Sequence, residues 1–146
     1  MKVIVVLSLL FCVLAVTQPV VAKDMSGDWL KEGKVSTDHG EIYYRVTGQG
    51  EPLLLLHGYF GNGAQWQKYL DEFSPRYTVI APDLLDHGGS ASSLDRFDVA
   101  EGASAIWALL DHLGYLNIKG VGYSAGGMTL LQMALLQPQR MDAMIL

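Results

Sequence analysis

With 146 residues, half of them hydrophobic and 17% charged, the chain is long enough for one ordinary domain and too apolar to be disordered throughout. Its formal net charge is -5 with Lys and Arg spread singly, so the basic stripe that a nucleic-acid or anionic-membrane surface needs is excluded. The single cysteine, Cys12, excludes a disulfide framework, a CxxC redox pair and a cysteine-ligated zinc within this chain, and in an apolar run it reads as a small hydrophobe.

The N-terminus has the order of a secretory signal. Lys2 supplies one positive charge, Val3 to Val16 is apolar apart from Ser8, and Thr17, Gln18 and Pro19 break the run. Val20 and Ala22 place small side chains three and one residues before a cut at Lys23, and the apolar core is short for a bilayer span. Residues 1–22 are therefore expected to be a signal peptide and residues 23–146 a secreted or periplasmic domain. Their removal leaves 124 residues with a net charge of -6, because the leader carries only Lys2. No later segment is long and apolar enough to span a membrane, so no membrane association is expected after cleavage.

From Val35 onward, short β-rich runs alternate with longer helix-like runs. Val35–Thr37 and Ile42–Val46 flank the turn-forming Asp38-His39-Gly40, which predicts an antiparallel hairpin. Pro52–Leu56 suits a strand buried on both faces and stops at His57-Gly58. Ala64 to Phe73 carries Trp66, Tyr69, Leu70 and Phe73 at helical spacing, which reads as core packing. Tyr77–Ala81 is the next strand, and Phe97–Leu113 a long helix capped by Asp95 or Asp98. Ile118–Gly122 reads as a strand, Ala125–Gln137 as a helix closed by Pro138, and Met141–Leu146 as a further, buried strand. This alternation predicts an α/β class: a mostly parallel sheet with helices on both faces, entered by an antiparallel hairpin.

The motif that carries chemistry is Gly122-Tyr123-Ser124-Ala125-Gly126-Gly127, of the form G-x-S-x-G, directly after one of these strands and before a helix. A free serine hydroxyl is a poor nucleophile. A sharp strand-to-helix turn lifts its oxygen clear of the sheet, and glycines two positions to either side let the two backbones approach. The helix directs its first amides and its dipole at the same spot.

Taken with three other segments, this motif resembles the α/β-hydrolase family over nearly all of residues 35–146. Leu53–Gly61 resembles the family's strand ending in an H-G loop, and Tyr77–Asp83 the strand after it. Asp83–Ser90 resembles its D-x-x-G-x-G-x-S turn, departing at Asp86, where glycine is usual; Asp tolerates a left-handed backbone better than most residues. The resemblance implies an esterase-like or lipase-like enzyme without a cofactor that acts on a small-molecule acyl substrate. Ser124 would be acylated, and the backbone amides of Tyr59 and Ala125 would hold the oxyanion. Gly122 and Gly126 would support the elbow, and His57 and Gly58 the oxyanion loop, with His57 structural rather than a general base. A nucleophilic aspartate, as in dehalogenases and epoxide hydrolases of this fold, is disfavoured because the elbow carries serine. Aromatic Tyr59, Phe60 and Tyr123 beside the expected oxyanion site suggest an apolar pocket entrance as readily as plain packing.

The family's triad runs serine, acid, histidine, and the 22 residues after Ser124 hold no histidine and one acid, Asp142, placed too early to be assigned. His39, His57, His87 and His112 all precede the serine. The expectation is therefore an N-terminal fragment or truncated product, poorly soluble by itself, of a longer enzyme; the alternative is a non-catalytic protein that keeps the fold. Asp83, Asp86 and His87 could ligate zinc or iron, but they fit the turn pattern without a metal, and none is expected.

Overall fold

The computed structural model describes residues 29–93, 96 and 98–146. The leader with Cys12, and Asp95, lie outside the described residues. Strands β1 (Lys31–Thr37) and β2 (Gly40–Gly48) form the predicted antiparallel hairpin, extended by a few residues at its open end. Then come β3 (Glu51–Leu56), a 3-10 helix (Gly63–Tyr69) running into the single turn α1 (Leu70–Phe73), and β4 (Tyr77–Pro82). A two-residue strand β5 (Ala91–Ser92), α2 (Val99–Leu113), β6 (Ile118–Gly122), α3 (Ala125–Leu136), a 3-10 turn (Pro138–Arg140) and β7 (Met141–Ile145) follow.

The sheet order is β1-β2-β4-β3-β6-β7, with β5 added beside the turn end of β2. β3 is parallel to both β4 and β6, and β6 to β7, whereas β2 runs against its neighbours β1 and β4. Every strand on the main path except β2 therefore points the same way, which gives the mostly parallel sheet that the alternating pattern predicts.

The period-2 geometry of a strand explains why Leu53–Leu56 has no polar residue. Leu54 and Leu56 join Ile80, Ile106, Leu110 and Leu130 in the core beneath α2 and α3. Leu53 and Leu55 join Val79, Ala81, Trp66 and Leu70 beneath the 3-10 segment on the other face. Each fully buried leucine contributes on the order of 2 kcal/mol, so this strand anchors both layers. Asp98 proves to be the cap of α2, its carboxylate accepting from the amides of Ala100 (2.9 Å) and Glu101 (3.2 Å). The Trp107 indole donates to the Met133 carbonyl and ties α2 to α3.

Two expectations are corrected. Most of Ala64–Phe73 is a 3-10 helix, and Tyr69 is 40% exposed rather than core. The Asn62 side chain accepts from Ala64 N–H at its start, and a ten-residue run is too short for apolar spacing to separate a period of 3.0 from 3.6. The run at Met141–Leu146 does form a strand, over Met141–Ile145, but Met144, Ile145 and Leu146 are exposed, because β7 pairs with β6 alone among the described residues.

Candidate active site

The site lies at the carboxyl ends of β3, β4 and β6, where three loops meet. β6 pairs with β3 up to Gly122 opposite Leu56, and the Tyr123 amide continues the ladder by donating to the Leu56 carbonyl at 3.0 Å. Two residues later the chain is helical, and this reversal forces Ser124 to φ 53°, ψ -114°. A non-glycine residue held there costs about 1–3 kcal/mol, so the surroundings must impose it. They do so by close packing: a Cβ on Gly126 would lie 2.4 Å from the Leu56 carbonyl oxygen and 2.6 Å from that of His57. A Cβ on Gly122 would lie 2.6 Å from the Gly126 oxygen. Ser124 is exposed and its hydroxyl does not cap α3, while Ala125 is the first helical residue, whose amide falls outside the helix's own ladder. The twelve-residue helix thus presents amide dipoles beside an uncommitted hydroxyl.

The facing loop is held by His57, which is fully buried. Its Nε2 accepts from the Leu84 amide at 2.9 Å, which assigns the proton to Nδ1, and Nδ1–H donates to the Gly58 carbonyl at 2.7 Å. Burial, with a smaller contribution from His87, holds the imidazole below its usual pKa, so it is neutral. With both nitrogens engaged, this ring is a support and has no free site for a proton from Ser124. The Gly58 carbonyl also accepts from Gly61 N–H at 2.9 Å. Because a trans peptide directs C=O and N–H oppositely, and no peptide among the described residues is cis, these two bonds set the direction of the Tyr59 amide away from His57. The loop touches the elbow: a Cβ on Gly58 would lie 2.9 Å from the Tyr123 ring and 3.5 Å from Ser124 Cβ.

Around this centre, the Tyr59 ring stands edge-on to both Phe60 and His87, and Phe60 is wholly exposed. A shallow cavity of about 300 Å³ lined by Gln65, Trp66, Lys68, Tyr69 and Tyr123 opens beside the elbow. The Asp83–Ser90 turn has the expected form, with Asp86 at φ 62° and its carboxylate accepting from Ser92 N–H. Asp83, the first of the three residues considered for metal ligation, is fully buried and accepts from Arg45, Gly63 and Gly89. His87 Nδ1 bonds the Leu85 carbonyl. Among the described residues no group of three or more His, Cys, Asp or Glu is arranged to hold a metal.

The remaining titratable candidates lie elsewhere. His39 is in the hairpin turn 3.5 Å from Glu101, and His112 is exposed on α2. Asp142 accepts from Asn117 at the start of β7, beside Ile118, which puts it more than about 13 Å along the sheet from Ser124. What reading the sequence missed is Arg45, Gly63 and Leu84 as the partners that hold Asp83 and His57. Arg45 carries the one visible signal, a charge in the middle of the β-rich run Ile42–Val46.

The model of the alpha/beta hydrolase fold family matches residues 51–146. An uncharacterized protein of Mycobacterium tuberculosis is 38% identical over 103 residues, covering 70% of this chain and 30% of its own length. The soluble epoxide hydrolase of Corynebacterium sp. is 35% identical over 86 residues, covering 59% of this chain and 30% of that protein. Among solved structures, the N-acyl homoserine lactonase AidH complexed with N-butanoyl homoserine matches with a TM-score of 0.73 at 31% identity, over 79% of this chain and 43% of the lactonase. The chain thus spans about 30% of the length of these curated relatives. With the sheet order, the strained serine between strand and helix and the match over residues 51–146, the chain belongs to the α/β-hydrolase fold family.

Proposed function

We propose that this chain carries the nucleophile and the oxyanion site of a serine hydrolase that cleaves an ester or related acyl bond through an acyl-serine intermediate. The observation that carries the reading is Ser124 itself: exposed, held at a backbone angle foreign to serine, and in contact range of the Gly58 loop. In this mechanism Ser124 Oγ attacks the acyl carbon, and the amides of Tyr59 and Ala125 receive the charge on the carbonyl oxygen. Each such donor is worth about 3 kcal/mol of barrier. A hydrolase as such is in keeping with the epoxide hydrolase and lactonase relatives, and a lactone is a cyclic ester. An elbow serine favours acyl chemistry over the carboxylate-nucleophile route.

The general base is proposed to come from a longer protein of which these residues are the N-terminal part. The share of the relatives' length that is covered supports this. The second reading is a catalytically silent protein that keeps the fold, since a fold by itself does not carry an activity. We further propose export directed by residues 1–22, which intact mass of the natural protein beginning at Lys23 would support; no helix among the described residues is long and apolar enough to cross a membrane.

The test is made on the full-length protein. Ser124→Ala is expected to abolish labelling by a serine-reactive phosphonate, and undiminished labelling would refute the assignment. Turnover of a short activated ester, with the same variant as blank, separates the catalytic reading from the silent one.

A further inference from the structure

The loop from His57 to Gly63 is gripped at both ends by one turn. Its first residue accepts from the Leu84 amide, and its last, Gly63, donates its amide to Asp83 Oδ1 at 2.7 Å. Asp83 and Leu84 are adjacent, so the turn leaving β4 spans the mouth of the loop that contains Tyr59. The same carboxylate accepts from Gly89 N–H through Oδ2, and its charged partner among the described residues is Arg45 on β2, Nη1 to Oδ1 at 2.7 Å. Arg45 in turn lies over the Tyr43 ring at 4.5 Å and reaches Glu32 at 3.4 Å.

A wholly buried carboxylate is stable as an anion only while it is paired, so the grip on Gly63 depends on Arg45. We propose that Arg45 is a positioning residue: through Asp83 it clamps the His57–Gly63 loop and keeps the Tyr59 amide in a fixed direction. Removing the guanidinium leaves a buried charge with two backbone donors. The carboxylate then turns toward water, the Gly63 amide loses its acceptor, and the loop opens at its far end while β3 still holds the near end. The catalytic half of this inference rests on the serine-hydrolase reading; the structural half does not.

The test compares Arg45→Met, Arg45→Lys and Glu32→Gln in the full-length protein. Hydrogen exchange at residues 58–63 is expected to quicken about tenfold or more in Arg45→Met relative to the change in β6 and α3, to be largely restored by lysine, and to be unaltered in Glu32→Gln. Ser124-dependent ester turnover should lose roughly 10- to 100-fold in kcat with KM within about twofold, as a misplaced oxyanion amide requires. Exchange that rises uniformly across the molecule, or an unchanged kcat beside a lowered melting temperature, would show Arg45 to be an ordinary staple between β2 and β4 and overturn the proposal. If the wild type shows no Ser124-dependent turnover, the hydrolase reading fails and the exchange data alone decide the clamp. Should Arg45→Met not fold, Arg45→Gln carries the same comparison.

Discussion

Two loops at the same end of the sheet hold the only non-glycine residues with positive φ among the described residues, Asp86 at 62° and Ser124 at 53°. In the turn after β4, Asp86 occupies a conformation that aspartate tolerates, and its side chain gains a bond to Ser92 N–H at 3.0 Å. At the elbow, the ψ of -114° lies outside the left-handed helical region, and the Ser124 hydroxyl does not bond the helix amides as a cap would. The first loop relieves its strain within a few residues. The second is held in strain by the contact of β3, β6 and α3, and it leaves a hydroxyl uncommitted. Strain supported from outside in this way is what the proposed nucleophile role of Ser124 asks of the fold.

That contrast can be broken at its strongest point by Gly126→Ala. The added methyl would meet two backbone carbonyls that neither rotate nor retreat, so a loss of about 3 kcal/mol or more in denaturant unfolding is expected. A midpoint within error of wild type would mean that packing does not hold the elbow. Smaller in size and opposite in sign, Ser124→Gly should raise stability by about 1 kcal/mol, since relief of strain outweighs the entropy that glycine adds to the unfolded chain. Ser124→Ala, still a residue with a Cβ, should give no such gain. The Asp86 turn should respond differently again: Asp86→Gly is expected to stay within about 1 kcal/mol of wild type, whereas Asp86→Ala loses about 1–2 kcal/mol along with the bond to Ser92. Equal gains from glycine at both positions would erase the distinction between the loops.

The gentlest perturbation is pH. His57 has a pKa depressed below its ordinary value of 6.5 by burial, so the unfolded chain takes up its proton first as pH falls. The sign follows from linkage: this contribution to stability is fully present above about 6.5 and is lost as pH falls from there through the folded-state value. Protonation would also set Nε2–H against the Leu84 N–H, which faces it at 2.9 Å. Thermal melts from pH 8 to 5.5 should decline at the acid end, and His57→Gln should flatten that decline; an identical slope in the variant would remove His57 as its source.

Much of the fold was legible because its elements are locally encoded. The double-sided burial of β3 is written in Leu53–Leu56, the cap of α2 in Asp98, and the elbow in glycines spaced around a serine. Where the local signal is weak the expectation failed: over Gly63–Tyr69 a 3-10 and an α-helix share the same apolar spacing, and the two residues of β5 carry no pattern at all.

By itself, then, the sequence determined where the longer strands and the two long helices lie, which strand is buried on both faces, and where a nucleophile could stand, since each depends on side-chain periodicity and turn chemistry within a few positions. Only the tertiary structure decided that Leu84 fixes the His57 tautomer from 27 residues away, that Arg45 answers Asp83 across β2 and β4, and that β7 pairs with β6 alone among the described residues. Those facts rest on contacts between segments distant in the chain. Hydrogen-bond geometry and burial choose among partners there, and local composition holds no record of the choice.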